Sequence, residues 1–414
     1  MQSSSRIGVF EKDMKVILAL NDIHRDGMSA AALILYRALN AQGVDVTVLL
    51  ASVHCDLPEF IDETHAVVIR GGGWGFVGEN IENMVKTVNE ISEDGDVLIH
   101  FGAANWLACV PYLKLGIRVV TAVHSINPST LKICRAYPER VSAFVCISKG
   151  VMDRFLRKLP RKFHHKVHLI PNAVDVAQNP KTDWSNDGVL RILFLGRIEA
   201  TSKGCDKLPK IMRELKSRGI AAKLDLYGYF HNWESQWWRA VDKSGVRDVV
   251  EYKGEVAHEN VYDVMRDYDV FISPSNFEGF PLSCSEAMGC ALPVVVSRIV
   301  GVTDWICDYG RCGVLVKKMD IGGFADALEM LAKSVGCREK IGHAARMRIM
   351  ELASFESHGQ KYAELVRFVF EQKNYVAVAP HCQLDRYVQP DFLKSWAPAR
   401  ILPTWLKSWL RRFL

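Results

Sequence analysis

The sequence predicts an α/β protein with two parallel-sheet domains that face a central cleft. Its 414 residues are more than a single hydrophobic core usually accommodates. Apolar runs of strand length alternate with helical stretches in both halves of the chain, which indicates βαβ units. A polar segment at 176–188 separates the halves. Because parallel sheets bind ligands at the carboxyl ends of their strands, the cleft is the expected ligand site.

The first half contains short runs rich in β-branched residues and leucine, each of which predicts a buried strand. These runs are 15–20, 44–51, 66–70, 96–101, 118–123, 143–147 and 167–170. Helices are expected between them, at 29–42, where Gly43 provides a stop signal, and at 81–92.

The second half repeats this alternation. Its predicted strands are 191–195, 223–227, 249–252, 269–273, 293–297 and 313–317. The stretch 285–289 is expected to open a helix after a loop that Gly279 and Pro281 force. The same pattern on both sides of one linker predicts two domains of the same class.

The composition is that of an ordinary globular protein, with 49% hydrophobic and 24% charged residues. The net charge of +5 is too small to indicate nucleic acid by itself, and it suits a nucleotide-diphosphate ligand or an anionic membrane surface. The closest cysteines, Cys307 and Cys312, lack a second pair with His support for a zinc site, so free thiols are expected. Residues 1–14 lack the apolar core of a signal peptide, which predicts a cytoplasmic protein.

The end of the chain differs from the rest. Four prolines between 376 and 404 exclude a long helix there. The segment that follows alternates aromatic anchors with cations: Trp405, Lys407, Trp409, Arg411, Arg412 and Phe413. At helical spacing the aromatic residues share one face, which is typical of a basic amphipathic helix lying in a membrane interface. The alternative is a helix that packs on its own domain or on a partner subunit.

The stretch 273–297 carries the strongest chemical signal. Glu278 lies in a loop after a predicted strand, and Glu286 follows eight positions later, near the start of the predicted helix. Backbone N–H groups at such a helix start suit a diphosphate or sugar oxygens, and the two carboxylates can accept hydrogen bonds from hydroxyl groups. For Glu286 alone, interaction with the helix dipole would be a sufficient explanation.

A second loop, GRIEATSKG at 196–204, follows a predicted strand and carries Arg197 and Lys203. Two cations at the carboxyl end of a strand can neutralise a leaving diphosphate without a metal ion. The alternative is that both side chains are solvated surface groups. The Asp-x-Asp pairs at 94–96 and 267–269 each precede a strand and are interpreted as strand starts, so no metal site is predicted.

These segments together resemble a known family. GRIEATSKG, YKGEV and DVFISPSNFEGFPLSCSEAMGCALPVVVS occur in the order found in glycosyltransferase family 4, whose members are retaining GT-B enzymes with two Rossmann-like domains. The resemblance is dense over 189–320 and thinner over 15–175, where TAVHS, CISKGV and LIPNAVD stand in family order. It implies the GT-B fold, and Glu278 and Glu286 match the E-x7-E signature.

The resemblance implies roles for individual residues. Arg197 and Lys203 would hold the donor pyrophosphate, Glu286 would bind the ribose hydroxyls, and Glu278 would bind the donor sugar and stabilise an oxocarbenium-like transition state. The loop and helix start between these carboxylates would also contact the donor, through Gly279, Phe280, Pro281 and Leu282. His124 matches the family's histidine near the reacting sugar.

The first loop of the chain, HRDGMSA, departs from the Gly-Gly of many family members. Gly27 matches the position that approaches the diphosphate. His24 and Asp26 become candidates for acceptor contacts, with a polar surface loop as the alternative.

The implied organisation has an acceptor domain at 1–175, a donor domain at 176–355, a helix crossing back at 356–375 and a tail at 376–414. The expected function is transfer of a sugar, with retention, from a UDP- or GDP-sugar to a glycan or glycolipid acceptor at a membrane. No cofactor, metal or nucleic acid is expected. The alternatives are a sugar-nucleotide epimerase or phosphorylase on the same scaffold, and a catalytically silent subunit that recruits a partner to the membrane.

Overall fold

The computed structural model describes residues 15–52, 54–69, 78–185, 187–230 and 233–372. The chain forms two compact units. Among the described residues, the first unit comprises 15–147, 152–170 and the residues from 358 on, and the second comprises 148–151 and 171–357. The amphipathic segment predicted at the end of the chain lies outside the described residues, including Trp405, Lys407, Trp409, Arg411, Arg412 and Phe413.

The strands are β1 (Lys15–Leu20), β2 (Asp45–Leu50), β3 (Val67–Val68), β4 (Val97–His100), β5 (Arg118–Val123), β6 (Ala143–Cys146), β7 (Val167–Leu169), β8 (Leu190–Leu195), β9 (Ala222–Tyr227), β10 (Val250–Gly254), β11 (Val270–Ser273), β12 (Val294–Ser297) and β13 (Val314–Val316). The α-helices are α1 (Gly27–Ala41), α2 (Pro58–Thr64), α3 (Gly78–Ile91), α4 (Ala104–Cys109), α5 (Pro128–Cys134), α6 (Lys149–Leu156), α7 (Leu208–Ser217), α8 (Glu234–Ser244), α9 (Val261–Arg266), α10 (Leu282–Gly289), α11 (Thr303–Ile306), α12 (Ile321–Lys333), α13 (Val335–Ala353) and α14 (Phe355–Phe370).

The first unit is built on a parallel sheet in the order β3-β2-β1-β4-β5-β6-β7. The strand order reverses between β1 and β4, so the loop after β1 lies at a topological switch point. The helix α14 contributes Tyr362, Leu365, Val366 and Val369 to the core of this unit. A Cβ on Gly359 would lie 2.8 Å from the carbonyl oxygen of Ala38, so α14 approaches α1 closely at a residue without a side chain.

The second unit is built on a parallel sheet in the order β10-β9-β8-β11-β12-β13. Its strand order reverses between β8 and β11. The prediction of an α/β fold with two parallel, Rossmann-like sheets is therefore confirmed. All four residues of β11 and of β12 are buried, so these strands are covered on both faces of the sheet, as expected for parallel strands between helices.

Helices α1 and α10 begin earlier than predicted. Helix α1 begins at Gly27 rather than at 29, because the Asp26 carboxylate caps it by accepting the N–H groups of Met28 (3.0 Å) and Ser29 (2.9 Å). Helix α10 begins at Leu282 rather than at 285, directly after Pro281.

The predicted linker at 176–188 is anchored to the second unit at Trp184. The side chain of Trp184 is buried and its indole N–H donates to the carbonyl of Ala291 at 3.2 Å. The buried Arg338 guanidinium donates to the carbonyl of Trp184 at 2.6 Å. Trp184 thus packs on the second unit, although the described residues next to it are polar and exposed.

Candidate active site

Two loops meet at the switch point of the second unit. The loop at 196–204 follows β8 and the loop at 274–281 follows β11, and these strands are neighbours in the sheet. The Lys203 ammonium lies 2.8 Å from Oε1 of Glu278, so the sheet brings together two residues 75 positions apart. Both were predicted as site residues, and the structure pairs a cation with a carboxylate at the edge where parallel sheets bind ligands.

The Glu278 carboxylate is held from a second side. The Ser275 hydroxyl donates to the same oxygen, Oε1, at 2.7 Å, and Ser275 is itself 3.0 Å from the hydroxyl of Ser273 at the end of β11. Only 8% of the Glu278 side chain is exposed, against 26% for Lys203. Two donors on one oxygen fix the orientation of this carboxylate.

Arg197 has a partner that the sequence analysis missed. Its Nε and Nη2 atoms donate to Oε1 of Glu199 at 3.1 Å and 2.9 Å. The Glu199 side chain is only 14% exposed. A carboxylate two positions after the arginine in the same loop was the available signal. Each predicted diphosphate-binding cation is therefore already paired with a glutamate of this chain.

The loop after β8 also comes close to the start of α10. Gly196 has a φ of +145°, and a Cβ there would lie 4.0 Å from the hydroxyl oxygen of Ser283. Gly228, with a φ of +127°, leaves no room for a side chain, because a Cβ would lie 2.0 Å from the carbonyl oxygen of Gly196. Both glycines are needed for the path of this loop.

Helix α10 presents its first turn beside these loops. Pro281 precedes the helix without a side-chain cap, and the N–H of Ser285 bonds to the carbonyl of Pro281 at 3.0 Å. The N–H groups of the first turn, from Leu282 on, have no intrahelical partner in such geometry and suit an anion. Gly279 and Phe280 complete the predicted loop between strand and helix, and Phe280 is buried.

Glu286 lies on the second turn of α10 rather than near its start, since the helix begins at Leu282. Its Oε1 is 3.5 Å from Nε2 of His258, a residue that the sequence analysis did not single out. The hydroxyl of Tyr262 is buried and finds no hydrogen-bond partner in the described part of the chain. Burial, together with the charge of Glu286, raises the pKa of this hydroxyl.

The predicted residues of the first unit lie after β1 and β5. His124 directly follows β5, and its ring stacks on Phe101 with centroids 4.6 Å apart. Its Nε2 is buried and has no partner among the residues that the structure describes. Burial and the neighbouring His358 lower the pKa of His124 to about 3. The imidazole is therefore neutral at physiological pH and can act only as a hydrogen-bonding group, not as a resident cation.

His24 is held between two carboxylates. Its Nδ1 lies 2.7 Å from Asp56 and its Nε2 lies 3.1 Å from Asp22. The hydrogen bond to Asp56 raises the pKa of His24 despite an opposing effect of burial. Asp26 caps α1 and Gly27 is the first residue of that helix, so the segment HRDGMSA is a largely exposed turn that leads into α1, and the acceptor role of His24 and Asp26 stays a prediction.

Two neutral histidines in the first unit predict acid sensitivity. Burial lowers the pKa of His100 and of His124 to about 3, so below about pH 6.5 the unfolded chain binds protons that the folded chain does not. Stability is therefore lost as the pH falls, by about 2 kcal/mol per histidine between pH 7.5 and pH 5. Between these pH values, urea unfolding of His124→Gln should show a loss of stability that is smaller than that of the wild type by about 2 kcal/mol.

Protonation of His24 has the opposite effect on stability, so a variant of His24 provides the control. Its raised pKa adds stability at low pH that is lost as the pH rises through the folded-state value. His24→Gln should therefore make the acid sensitivity steeper, by less than about 1 kcal/mol because the pair is partly exposed. Equal pH dependence in wild type and His124→Gln would contradict the assignment of buried neutral histidine.

Other polar groups have structural roles. Asp269 accepts the N–H of Arg191 at 2.8 Å, and Asp96 accepts the N–H groups of Lys15 (3.1 Å) and Glu93 (2.9 Å), as predicted for carboxylates at strand starts. No three metal-binding side chains cluster within the described ranges. The ten cysteines described are free thiols. None of the described helices is long and apolar enough to span a membrane.

Comparison with known proteins agrees with this geometry. A family model described as Glycosyltransferase Family 4 matches residues 25–178, and one described as Glycosyl transferases group 1 matches residues 190–334. The chain is a GT-B glycosyltransferase. The break between the two matched segments, at 178–190, lies close to residue 171, where the main part of the second unit begins.

Two sequence relatives and one solved structure show what the chain is similar to. The chain is 26% identical over 286 residues to WcaL of Escherichia coli K12, named as a colanic acid biosynthesis glycosyltransferase, covering 63% of this chain and 70% of WcaL. It is 31% identical over 196 residues to the D-inositol 3-phosphate glycosyltransferase of Pseudarthrobacter chlorophenolicus, covering 45% of this chain and 46% of that protein. The chain therefore spans less than half of the second relative.

The structure of Anabaena HepE in complex with UDP and glucose has a TM-score of 0.73 to this glycosyltransferase, at 16% identity, covering 86% of this chain and all of HepE. This similarity confirms the GT-B fold.

Proposed function

We propose that this glycosyltransferase transfers a sugar, with retention of anomeric configuration, from a UDP- or GDP-sugar to a glycan or glycolipid acceptor. The observation that carries the proposal is the 2.8 Å ion pair of Lys203 and Glu278 at the switch point between β8 and β11. In this proposal Lys203 is the cation for a leaving diphosphate, and Glu278 beside it is the carboxylate for a sugar that develops positive charge. Arg197 in the same loop and Glu286 on α10 add a second cation and a ribose acceptor.

The proposed reaction uses the charge of the donor. The bond between the anomeric carbon and the diphosphate oxygen breaks, and the electron pair leaves with the diphosphate. The acceptor oxygen bonds to the anomeric carbon from the same face, and its proton passes to the departing phosphate oxygen. Lys203 and Arg197 stabilise the negative charge that develops, and Glu278 stabilises the positive charge on the sugar. No side chain is required as a general base.

The donor and acceptor classes are supported by related proteins. HepE binds UDP and glucose, and WcaL is named for colanic acid biosynthesis. We infer a nucleotide sugar as donor and a growing glycan, or a lipid-linked form of it, as acceptor. Neutralisation of the diphosphate by Arg197 and Lys203 makes a metal ion unnecessary, and no cofactor is proposed.

The first experiment is a thermal melt of the purified protein against a panel of UDP- and GDP-sugars, with and without EDTA. A ligand that binds only the folded state raises the melting temperature. We expect a shift with one nucleotide sugar that EDTA does not change and that Arg197→Ala abolishes. The absence of any shift in folded protein would contradict the proposal and favour the silent subunit.

The two alternative enzyme activities would give different experimental results. A phosphorylase would need pyridoxal phosphate, and an epimerase would convert the nucleotide sugar in the absence of an acceptor. Chromatography of the donor after incubation alone distinguishes an epimerase from a transferase, which needs an acceptor for turnover.

We further propose that the basic amphipathic segment at the end of the chain attaches the enzyme to the cytoplasmic face of a membrane. Removal of residues 391–414 should abolish cosedimentation with liposomes that contain anionic lipid, because both the aromatic anchors and the cations are lost. The melting temperature of the truncated protein is the control for folding. Unchanged binding to the liposomes would contradict this attachment.

A further inference from the structure

Lys207 is a fully buried lysine behind the proposed donor site. Its ammonium donates to the carbonyl of Pro274 at 2.5 Å and to Oδ1 of Asn276 at 2.7 Å. Within the part of the chain that the structure describes, no carboxylate forms an ion pair with it. Lys207 belongs to the turn after the loop 196–204, whereas both of its acceptors belong to the loop after β11. One buried cation therefore joins the two loops of the site.

Asn276 continues this connection back to the first loop. Its side-chain amide donates to the carbonyls of Ala200 (3.1 Å) and Thr201 (3.0 Å), and its backbone N–H donates to the carbonyl of Ser202 (2.7 Å). The three carbonyls are consecutive and directly precede Lys203. The position of Lys203 is thus fixed by a network whose other end is Lys207.

The network is also closely packed. Gly204 has a φ of +66°, and a Cβ at this residue would lie 2.2 Å from the ammonium nitrogen of Lys207 and 2.4 Å from the carbonyl oxygen of Pro274. The backbone next to Lys203 therefore touches the buried ammonium directly. Glu278 follows Asn276 by two residues in the loop after β11, and Lys203 is directly preceded by Ser202, whose carbonyl accepts from Asn276. Both members of the Lys203–Glu278 pair therefore lie within two residues of the network.

From this geometry we propose that Lys207 is a positioning residue that sets the Lys203–Glu278 pair for the donor sugar. The inference rests on the proposed function, since it assumes that this pair acts on a bound donor. Lys207 itself touches neither the donor nor the reacting atoms.

The chemistry of Lys207 argues against a role in packing alone. Burial of an ammonium without a carboxylate partner is costly, and burial lowers the pKa of this lysine. An apolar side chain would fill the same space without that cost. What an apolar side chain cannot do is donate to acceptors on the second loop, which is the property that joins the loops.

The test is Lys207→Met, which keeps the length of the side chain and removes the donors. Lys210→Met is the matched control, because Lys210 is the same residue type three positions later and its side chain is 51% exposed. We expect kcat of Lys207→Met to fall about a hundredfold, as for a displacement of about 1 Å in a catalytic pair. The affinity for the free nucleoside diphosphate should fall less, by about tenfold, because the displaced Lys203 contacts the diphosphate less well while Arg197 and Glu286 lie outside the network. Lys210→Met should match the wild type.

A second variant keeps the proposal testable if Lys207→Met does not fold. Asn276→Asp retains an acceptor for Lys207 but loses the donors to Ala200 and Thr201, and it should lower kcat similarly. A folded Lys207→Met, or in its absence a folded Asn276→Asp, with wild-type kcat would overturn the proposal.

Binding measurements separate this proposal from the proposed function. Calorimetry should show that Lys207→Met loses the extra affinity of the nucleotide sugar over the free nucleoside diphosphate, because the sugar contact belongs to Glu278. A wild type that binds the nucleotide sugar without transfer would overturn the proposed function, and the affinity ratio would still decide on Lys207. A wild type that binds neither ligand would overturn both.

Discussion

Replacing Glu278 with glutamine should lower kcat by about a hundredfold or more while leaving the affinity for the nucleoside diphosphate nearly unchanged. The amide retains an oxygen that can accept from Ser275 and Lys203, the two donors that hold the native carboxylate. What is lost is the negative charge beside a sugar that becomes positive in the transition state. Removal of one preorganised electrostatic group from a site that excludes water typically has an effect of this size.

Glu286→Gln is the matched comparison, because it makes the same change in the same segment. Glu286 is assigned to the ribose, which does not react, so its loss should raise the dissociation constant of the nucleoside diphosphate about tenfold, as expected for a hydrogen bond to a charged group. Steady-state kinetics and calorimetry on both variants measure the split. A kcat of Glu278→Gln within a few-fold of wild type would show that its carboxylate does not act in the transition state.

Much of the fold could be predicted because it depends on the pattern of apolar residues within short segments. Strands such as β1 and β5 were predicted with their observed bounds, since parallel strands are buried on both faces and appear as continuous apolar runs. The structure differs from the prediction where a single residue determines the local conformation. Asp26 extends α1 by capping it, and Trp184 anchors the otherwise polar segment 176–188 through its hydrogen bond to Ala291.

The candidate site could be predicted less completely, because its partners come from separate segments. The sequence indicated Lys203 and Glu278 through spacing and family resemblance, but their contact depends on β8 and β11 being adjacent in the sheet. Lys207 had no signal at all, since a lysine near other charged residues is usually exposed. Burial of that lysine follows only from the meeting of two loops.

The pairing of Arg197 with Glu199 carries the second large prediction. Arg197→Met removes a cation that is assigned to the diphosphate and leaves the Glu199 carboxylate, only 14% exposed, without its partner. The variant therefore binds the diphosphate less well for two reasons. The attraction of the arginine is lost, and the unpaired Glu199 carboxylate repels the diphosphate. We expect kcat/KM to fall by about a hundred- to a thousandfold.

The double variant Arg197→Met/Glu199→Gln separates the two effects. It lacks the same cation but has no unpaired carboxylate, so kcat/KM should recover about tenfold relative to Arg197→Met, corresponding to about 1.4 kcal/mol of relieved repulsion. Glu199→Gln alone should bind the nucleoside diphosphate as tightly as wild type or more tightly, since Arg197 no longer shares its donors. The repulsive part should also shrink at high salt, because the site is partly exposed.

These kinetics form a double-mutant cycle. If the Glu199 carboxylate repels the diphosphate only when Arg197 no longer neutralises it, the effects of the single variants will not add, and the double variant will be more active than Arg197→Met. If the effects add and Glu199→Gln alone behaves like the wild type, the double variant will match Arg197→Met, and the unpaired Glu199 carboxylate has no electrostatic influence on the diphosphate. The second result would assign the whole loss of kcat/KM in Arg197→Met to the missing cation.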